Sequence, residues 1–365
     1  MPAPRRHFLQ TATAIASVVW AAVGSESSGG DSLPPPRIKI GQIGTSHGHA
    51  NKLAVYRQSD DYEVVGVVEP DERLRIEAER TPAFQGVKWL TREELLATPG
   101  LRAVLIETPI RDLLSIARVC LEAGLHVHID KPAGESLAEL QGVLDLAAKK
   151  SLLVQMGYMY RYNPGVVLLR EFLKNGWLGE VFEVDAVVSK TVDAEDRREL
   201  GKYPGGSMFE LGCHLVDLVV GILGEPQKVT AYPRHSSAQP DALLDNMLAV
   251  LEFPKATATV RSSVIEIEGG ERRHLTVCGT EGTFHIQPLD NPTVKITLLK
   301  PQGSYQAGTQ EITLPKYTRY VADARDMARI IRGEKPADFS AAHDLAVQTA
   351  LLAACGLSDG DHSRP

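Results

Sequence analysis

Apolar runs and helix-like stretches alternate along residues 37–155. Five apolar runs are predicted to be strands, and they are 37–44, 63–69, 103–109, 126–130 and 152–156. Helical patterns separate them near 48–58, 71–80, 111–123 and 136–149. Strands that are apolar along their whole length and alternate with helices are typical of a parallel sheet with both faces covered. The pattern therefore predicts an α/β domain with a parallel sheet over this part of the chain.

The pattern changes near residue 156. A helix is predicted over 164–175, an alternating strand over 180–189 and an apolar helix over about 206–223. Strand-like runs follow at 226–235, 246–253, 256–267, 272–278, 281–287, 293–299 and 310–314, and two helices close the chain at about 317–332 and 341–355. Alternation within such strands suits an antiparallel sheet with one covered face. We expect a second, α+β domain over 156–357, built on a large and mainly antiparallel sheet.

The first 36 residues follow neither pattern. Residues 1–24 contain no acidic residue, and two adjacent arginines, Arg5 and Arg6, precede a 13-residue apolar run. This run is shorter than the roughly 20 residues of a transmembrane helix, and small residues follow it, as in a signal peptide. The paired arginines resemble a twin-arginine signal for export of folded, often cofactor-containing proteins, with 25–36 as a linker. We expect a periplasmic or extracytoplasmic protein; a tail with two chance arginines is the alternative.

Composition narrows the classes of protein. Of 365 residues, 43% are hydrophobic, which is ordinary for a globular protein and too many for a disordered chain. Acidic residues outnumber Lys and Arg by 46 to 39, whereas a nucleic-acid-binding protein is normally basic. The cysteines at 120, 213, 278 and 355 are predicted to be isolated thiols, because no C-x-x-C pair is present. We expect no nucleic-acid partner and no stable membrane insertion of the mature chain.

The turn after the first strand, GTSHGH over 44–49, lies where a dinucleotide-binding fold carries G-x-G-x-x-G. Only Gly44 keeps the register of that motif, because Ser46 and His49 replace its second and third glycines. The Ser46 hydroxyl can still contact a phosphate. We expect a Rossmann-type NAD(P)-binding domain over 37–155, with Gly44, Ser46 and His47 at the cofactor.

Residues at the ends of the next strands extend this cofactor site. Glu69 ends the second strand, 25 residues after Gly44, where a carboxylate can bind a ribose 2′-hydroxyl and would repel a 2′-phosphate. Glu69 therefore favours NAD over NADP, and a solvated turn residue is the alternative. Thr108 and Pro109 end the third strand, where cofactor or substrate normally crosses the sheet edge.

Two H-x-H pairs raise the question of a metal site. His47 and His49 lie in the glycine turn, and His126 and His128 lie in the fourth predicted strand. The pairs belong to separate elements and no matching set of carboxylates accompanies them, so we predict no metal.

Candidate catalytic residues follow the fourth strand and open the apolar helix. Lys131 comes directly after that strand, where an ammonium group can hold a substrate hydroxyl and stabilise an alkoxide. Glu210 and His214 are four residues apart and share one helix face, where His214 suits the role of base and Glu210 can orient it or bind a second hydroxyl. Arg161, at the domain junction, could reach a polar group of cofactor or substrate. A surface lysine and a buried helix with a structural His–Asp217 pair are the alternatives.

Four segments together resemble the Gfo/Idh/MocA family (glucose-fructose oxidoreductase, inositol dehydrogenase and relatives). They are TPIRDLLSIARVCLEAGLHVHIDKPAG, GYMYRYNP, GGSMFELGCHLVDLVVGILG and CGTEGTF. The resemblance covers residues 37–355. It implies a Rossmann domain, a second domain with a large open antiparallel sheet, a bound NAD(H) or NADP(H), and sugars or cyclitols as substrates.

The resemblance also assigns roles. Lys131 matches the lysine of the family's E-K-P motif, His214 its catalytic histidine, and Glu210 its usual aspartate. It implies homo-oligomers formed through the exposed sheet. We expect an exported NAD(P)-dependent oxidoreductase of a sugar, cyclitol or sugar acid, with NAD preferred. An NAD-dependent glycoside hydrolase of the same fold and a non-catalytic nucleotide- or sugar-binding relative are the alternatives.

Overall fold

The computed structural model describes residues 35–357. Strands β1–β13 span Ile38–Ile43, Tyr62–Val68, Leu101–Ile106, His126–Ile129, Val154–Met156, Val181–Ser189, Lys228–Arg234, Asn246–Glu252, Thr257–Ser263, His274–Gly279, Gly282–Ile286, Val294–Leu298 and Gly308–Ile312. Helices α1–α10 span Leu53–Gln58, Glu72–Glu79, Arg92–Leu96, Leu113–Glu122, Leu137–Lys150, Pro164–Lys174, Ala194–Leu200, Cys213–Leu223, Val321–Ile331 and Ala341–Ala354. The predicted signal peptide and nearly all of the predicted linker lie outside the described residues. Within them, no helix is long and apolar enough to cross a membrane.

The first sheet is parallel, with the strand order β2-β1-β3-β4-β5. Its central strand β3 is almost completely buried, because helices cover both faces of the sheet. The order reverses between β1 and β3, which are neighbours in the sheet although β2 separates them in the chain. In open α/β sheets, ligands bind at the carboxyl ends of the strands at such a reversal. The predicted Rossmann-type sheet is confirmed.

The second sheet has eight strands in the order β13-β12-β11-β10-β6-β9-β8-β7. All neighbouring pairs are antiparallel except β6 and β9, which run parallel. Burial alternates along β8 and β9, because α8 and α10 cover only one face of the sheet. The predicted large, mainly antiparallel sheet is therefore confirmed. The four cysteines, predicted to be isolated, are all free.

The sequence patterns missed two short helices. Helix α3 begins with a capping box, in which Thr91 and Glu94 each bond the other's backbone amide. Helix α7 begins at the N-cap Asp193, whose carboxylate accepts hydrogen bonds from two amides of its first turn. Both helices are too short to show an apolar period, and only their capping residues mark them in the sequence.

Helix α9 belongs by its packing to the first domain, although the predicted boundary places it in the second. Ala324, Met327 and Ile331 join the core that lies against β1 and β2. The hydroxyl of Tyr62 donates a hydrogen bond of 2.7 Å to the carbonyl of Ala324. The amphipathic pattern predicts that this helix has an apolar face, but only the tertiary structure shows which sheet that face covers.

Asp323, near the start of α9, is a buried carboxyl group in this interface. Its exposed fraction is 3%, and its Oδ2 has no hydrogen-bond partner among residues 35–357. Burial raises the pKa of Asp323 from 3.8 to about 7. The carboxyl group therefore stays protonated in the folded chain over a pH range in which it ionises in the unfolded chain.

We expect Asp323 to make the protein less stable as pH rises. Between about pH 4 and about pH 7 the unfolded chain loses this proton and the folded chain keeps it, so the free energy of unfolding falls by about 4 kcal/mol. Asp323→Asn should remove this part of the pH dependence. Urea unfolding of both proteins at about pH 5 and about pH 8 should show the variant gaining stability relative to the wild type. If the difference in free energy of unfolding between the variant and the wild type is the same at both pH values, Asp323 is not protonated in the folded chain.

Candidate active site

The turn after β1 lies at the reversal of strand order. Gly44 has a φ of +92°, and a Cβ at this position would lie 2.6 Å from the carbonyl carbon of Glu107. Only glycine therefore fits there. The amides of Ser46 and Gly48 have no hydrogen-bond partner within the described chain, and both residues are exposed. The turn thus offers two N–H groups to an anion such as a pyrophosphate.

The other predicted cofactor residues surround this turn. Glu69 Oε2 accepts hydrogen bonds from the amide and the hydroxyl of Thr45, at 2.9 and 2.8 Å, and Glu69 Oε1 accepts one from the Asp71 amide at 3.1 Å. The Thr108 hydroxyl is buried without a partner among the described residues, and Pro109 beside it is exposed. The glycine cradle, the free amides and this unused hydroxyl fit a bound dinucleotide. Ribose binding by Glu69 stays a prediction.

A buried ion cluster lies beneath the turn. The Lys52 ammonium is 2.8 Å from Asp130 Oδ2 and 2.9 Å from Glu107 Oε1. Burial alone would raise the pKa of Asp130, but the neighbouring His47 and Lys52 hold it well below its ordinary value. Burial and the adjacent Asp130 raise the pKa of Glu107 well above its ordinary value. Of the two acids, Asp130 therefore ionises more readily, and the Lys52 ammonium lies within ion-pair distance of both.

Both histidines of the turn face this cluster. His47 Nδ1 lies 3.1 Å from Asp130 Oδ2, and His49 Nδ1 lies 3.1 Å from Asp130 Oδ1. The donor atoms of the three residues lie within 4.8 Å of one another, a spacing that could hold a metal ion. The prediction that no carboxylate accompanies the H-x-H pairs is wrong here, because the end of β4 places Asp130 beneath the turn. The Lys52 ammonium already pairs with Asp130, and that the protein needs no metal stays a prediction.

Lys131 and Glu210 form an ion pair at the same sheet edge. Lys131 Nζ lies 2.6 Å from Glu210 Oε1 and donates a hydrogen bond of 2.7 Å to the Glu210 carbonyl. Glu210 lies in a π-type turn, Met208–Gly212, ahead of α8, and such turns are frequent at functional sites. Burial alone would lower the pKa of Lys131, but Glu210 raises it above its ordinary value. The ammonium group therefore stays charged at neutral pH.

His214 lies next to this pair, among aromatic rings. Its ring centroid is 5.3 Å from that of Tyr160, 6.0 Å from that of Tyr158 and 6.0 Å from that of His49. Burial, reinforced by Lys131, lowers the pKa of His214 well below its ordinary value. Its Nδ1 is buried without a partner in the described part of the chain. His214 is therefore a neutral imidazole that lies together with Lys131 and its partner.

Arg161 is paired with two buried carboxylates. Its side chain is 3% exposed, and its guanidinium Nε lies 3.0 and 3.1 Å from the two carboxylate oxygens of Asp217. A terminal nitrogen lies 2.6 Å from Asp217 Oδ1 and 2.6 Å from Asp344 Oδ1, and the ring of Phe339 covers the guanidinium. These contacts occupy Nε and one terminal nitrogen of the guanidinium, and a contact of Arg161 with cofactor or substrate stays a prediction. Arg161 is therefore a buried ion-pair residue that joins α8 and α10 to the segment after β5.

A cavity of about 490 Å³ lies elsewhere, between α6 and residues 310–318. Its lining is mostly apolar and includes Val167, Leu168 and Leu314. It contains none of the predicted site residues. The candidate active site is therefore the edge of the parallel sheet, where the predicted residues lie.

Two segments of the chain match family profiles. Residues 38–158 match the oxidoreductase family with an NAD-binding Rossmann fold, and residues 166–285 match the GFO/IDH/MocA C-terminal domain. The chain belongs to the Gfo/Idh/MocA family of oxidoreductases. The family resemblance of the sequence motifs is confirmed, and with it the membership of an oxidoreductase family whose first domain has the NAD-binding Rossmann fold.

Individual relatives of this Gfo/Idh/MocA oxidoreductase are distant. An uncharacterized oxidoreductase of Schizosaccharomyces pombe is 30% identical over 158 residues, which are 42% of this chain and 43% of the relative. The D-xylose 1-dehydrogenase (NADP(+)) 2 of Haloferax volcanii is 27% identical over 70% of this chain and 77% of its own length. The matched region spans about half the length of the fission-yeast relatives, 43% and 54%.

The solved structures confirm the fold. GenD2 from gentamicin A biosynthesis, solved in complex with NAD, superposes with a TM-score of 0.73 at 24% identity, over 91% of this chain and 98% of its own. At this identity the likeness concerns the architecture of the Gfo/Idh/MocA oxidoreductase, and its substrate has to be argued from its own residues.

Three residues of the site escaped the sequence analysis. Lys52 lies three residues after His49, a spacing that places both on one side of a helical turn. Glu107 is an acid at the end of an otherwise apolar strand, directly before Thr108. Tyr320, whose ring centroid lies 5.9 Å from that of His49, comes from the far end of the chain and has no local signal.

Proposed function

We propose that this Gfo/Idh/MocA oxidoreductase transfers a hydride between NAD and the hydroxyl or keto carbon of a sugar, cyclitol or sugar acid. One observation carries the proposal. The charged Lys131 and two neutral imidazoles, His49 and His214, lie together at the carboxyl edge of the parallel sheet. The glycine turn at the same edge fits a dinucleotide. An ammonium donor beside imidazole acceptors suits a carbon that alternates between hydroxyl and carbonyl.

The residues of the chain divide the work of the reaction. When bound, the nicotinamide supplies the acceptor or donor of the hydride. Lys131 holds the substrate oxygen and stabilises its negative charge, since its ammonium group stays protonated. Glu210 positions that ammonium group through its carboxylate and its carbonyl. The hydroxyl proton passes to a neutral imidazole, and burial lowers the pKa of both His49 and His214.

The cofactor preference has a direct test. Thr45 holds Glu69 beside the glycine turn, and this position supports the proposal that Glu69 accepts a ribose 2′-hydroxyl and repels a 2′-phosphate. Glu69→Ala should therefore raise the Kd of NADH about tenfold and leave that of NADPH unchanged or lower, as measured by nicotinamide fluorescence. Glu63→Ala, on the exposed side of β2, the strand directly before Glu69, is the matched control. Equal weakening of both nucleotides would remove the reason to prefer NAD.

We also propose export through the twin-arginine route to the periplasm or another extracytoplasmic space. The support is Arg5-Arg6, the short apolar run and the small residues that follow it. Exported enzymes meet no free nicotinamide pool, so the cofactor would stay bound, with one substrate reducing it and a second substrate oxidising it.

We also propose that the chain forms homo-oligomers through the open face of the second sheet.

One experiment tests the function most directly. The full chain is purified and denatured, and the released nucleotide is identified by mass spectrometry. The chain is then assayed with NAD⁺ on a panel of aldoses, cyclitols and sugar acids. We expect a nicotinamide nucleotide and an absorbance change with at least one panel member. No released nucleotide together with no binding of added NADH would contradict the proposal.

A glycoside hydrolase that uses NAD transiently is the second candidate. The same residues would serve it, because such a reaction begins with oxidation of a hydroxyl and ends with a reduction. Release of an aglycone from a glycoside without a net change in nicotinamide absorbance would favour the hydrolase over the dehydrogenase.

A further inference from the structure

The two neutral imidazoles of the site differ in what supports them. His214 has aromatic neighbours, and no carboxylate of the described chain accepts a hydrogen bond from its ring. His49 lies with its Nδ1 3.1 Å from Asp130 Oδ1. An imidazole that takes a proton becomes a cation, and a carboxylate on its far nitrogen stabilises that cation. The support needed by a base is therefore present at His49.

The contact with Asp130 also decides which nitrogen of His49 is free. An ionised carboxylate only accepts hydrogen bonds, so the proton of the neutral ring lies on Nδ1 and Nε2 carries the lone pair. Nε2 has no hydrogen-bond partner among the described residues. Because Asp130 is completely buried and the His49 side chain is 17% exposed, the accessible side of the ring is its Nε2 side.

The surroundings hold this arrangement in place. Asp130 Oδ1 also accepts the Lys131 amide at 2.6 Å, and Asp130 Oδ2 accepts the Lys52 ammonium at 2.8 Å. Tyr320 lies against the His49 ring and has a φ of +68°, in the left-handed region that a side chain such as tyrosine rarely adopts. Strained residues of this kind cluster at functional sites, where the surrounding structure holds them. His49 is therefore fixed from two sides, by a carboxylate and by an aromatic ring.

We propose that His49 is the catalytic base of the oxidation and that Asp130 is its positioning residue. This inference rests on the proposed function. In the oxidation the O–H bond of the substrate breaks and its proton binds Nε2 of His49. The C–H bond breaks with its electron pair going to the nicotinamide as hydride, and the C=O bond forms. The resulting imidazolium keeps its Nδ1–H on Asp130, and reduction runs these steps backwards. His214 then accepts a hydrogen bond from the substrate without taking the proton.

The tautomer of His49 can be measured without any substrate. In the full chain labelled with ¹⁵N-histidine, two-bond correlation spectra separate the protonated from the bare ring nitrogen, and His49→Gln assigns the signal. We expect Nδ1–H with a bare Nε2 in the wild type. Asp130→Ala removes both acceptor oxygens and should abolish this preference, provided that its circular dichroism matches the wild type. An Nε2–H tautomer of His49 in the wild type would overturn the proposal.

Steady-state kinetics with a compound of the panel that the wild type converts give the second measurement. We expect His49→Gln to lower kcat about 10²-fold, to leave the Kd of NADH within about twofold, and to remove the acidic limb of the pH profile of kcat. His214→Gln should act mainly on KM. His126→Gln is the matched control, because that side chain accepts a hydrogen bond from the Leu153 amide at the opposite end of β4.

The outcomes separate this inference from the proposed function. If His49→Gln keeps more than about a third of the wild-type kcat with an unchanged pH profile, His49 is not the base. If the wild type neither binds NADH nor turns over any panel member, the proposed function fails, and the catalytic role of His49 fails with it. If the wild type binds NADH and turns over a panel member, and kcat falls in His49→Gln and Asp130→Ala but not in His126→Gln, both proposals are supported.

Discussion

Replacing Lys131 by alanine is expected to lower kcat about 10³-fold while the chain still folds and binds NADH. The reason is the charge on the substrate oxygen, which this ammonium group offsets from a distance of one hydrogen bond. Lys131 is the charged donor that Glu210 holds at this edge, at 2.6 Å from its carboxylate. The measurement is kcat for the best panel substrate, with circular dichroism and nicotinamide fluorescence as checks on folding and binding.

Two variants make this result specific. Lys131→Arg keeps the positive charge and should recover part of the activity. Glu210→Gln keeps Lys131 and removes only the carboxylate that positions it, so its loss should be smaller than that of Lys131→Ala. Residual activity of Lys131→Ala above about a tenth of the wild type would mean that this lysine has no catalytic role.

Replacing Arg161 by methionine is expected to lower the free energy of unfolding by about 3–5 kcal/mol. The change removes the cation that lies 2.6 Å from both Asp217 and Asp344, and both carboxylates are at least 95% buried. Two buried anions would then face each other, and His343, at 3.2 Å from Asp217, is the ion-pair partner that remains among the described residues. Urea unfolding followed by circular dichroism measures the loss.

The control for Arg161 is a solvent-exposed ion pair. Arg73 contacts Glu77 at 3.0 Å, but both side chains are more than half exposed, so Arg73→Ala should change stability by less than about 1 kcal/mol. The triple change Arg161→Met, Asp217→Asn, Asp344→Asn should restore most of the lost stability. If it does not, the loss comes from packing of the long side chain against Phe339 and not from the unpaired charges.

Much of the fold follows from local patterns. Strands of the parallel sheet, such as β3 and β4, are apolar along their length, because helices cover both faces, and this feature is readable in any single strand. The alternating burial of β8 and β9 is likewise predicted by the alternation of apolar and polar residues along each strand. Elements of one or two turns, such as α3 and α7, are below the length at which a period is visible.

Some features of the candidate site are likewise visible in single segments, and others depend on contacts between distant segments. Lys131, Glu210 and His214 lie in motifs that a single segment displays, and the tertiary structure brings the three together. The ion pairs of Arg161 cannot be predicted from its own segment, because its two partners lie 56 and 183 residues further along the chain. No pattern around Arg161 shows that both of these aspartates meet it in the core.

By itself, the sequence determined the two architectures, the family and the segments that carry the chemistry, because these depend on periodicity and on short motifs. Only the tertiary structure decided that α9 covers the first sheet, that Asp130 lies beneath His47 and His49, and that Glu107 and Lys52 complete a buried cluster. The physical reason is that burial and charge pairing depend on distances between segments far apart in the chain. Those distances determine which acid is ionised, which histidine is neutral, and which of two imidazoles is supported as a base.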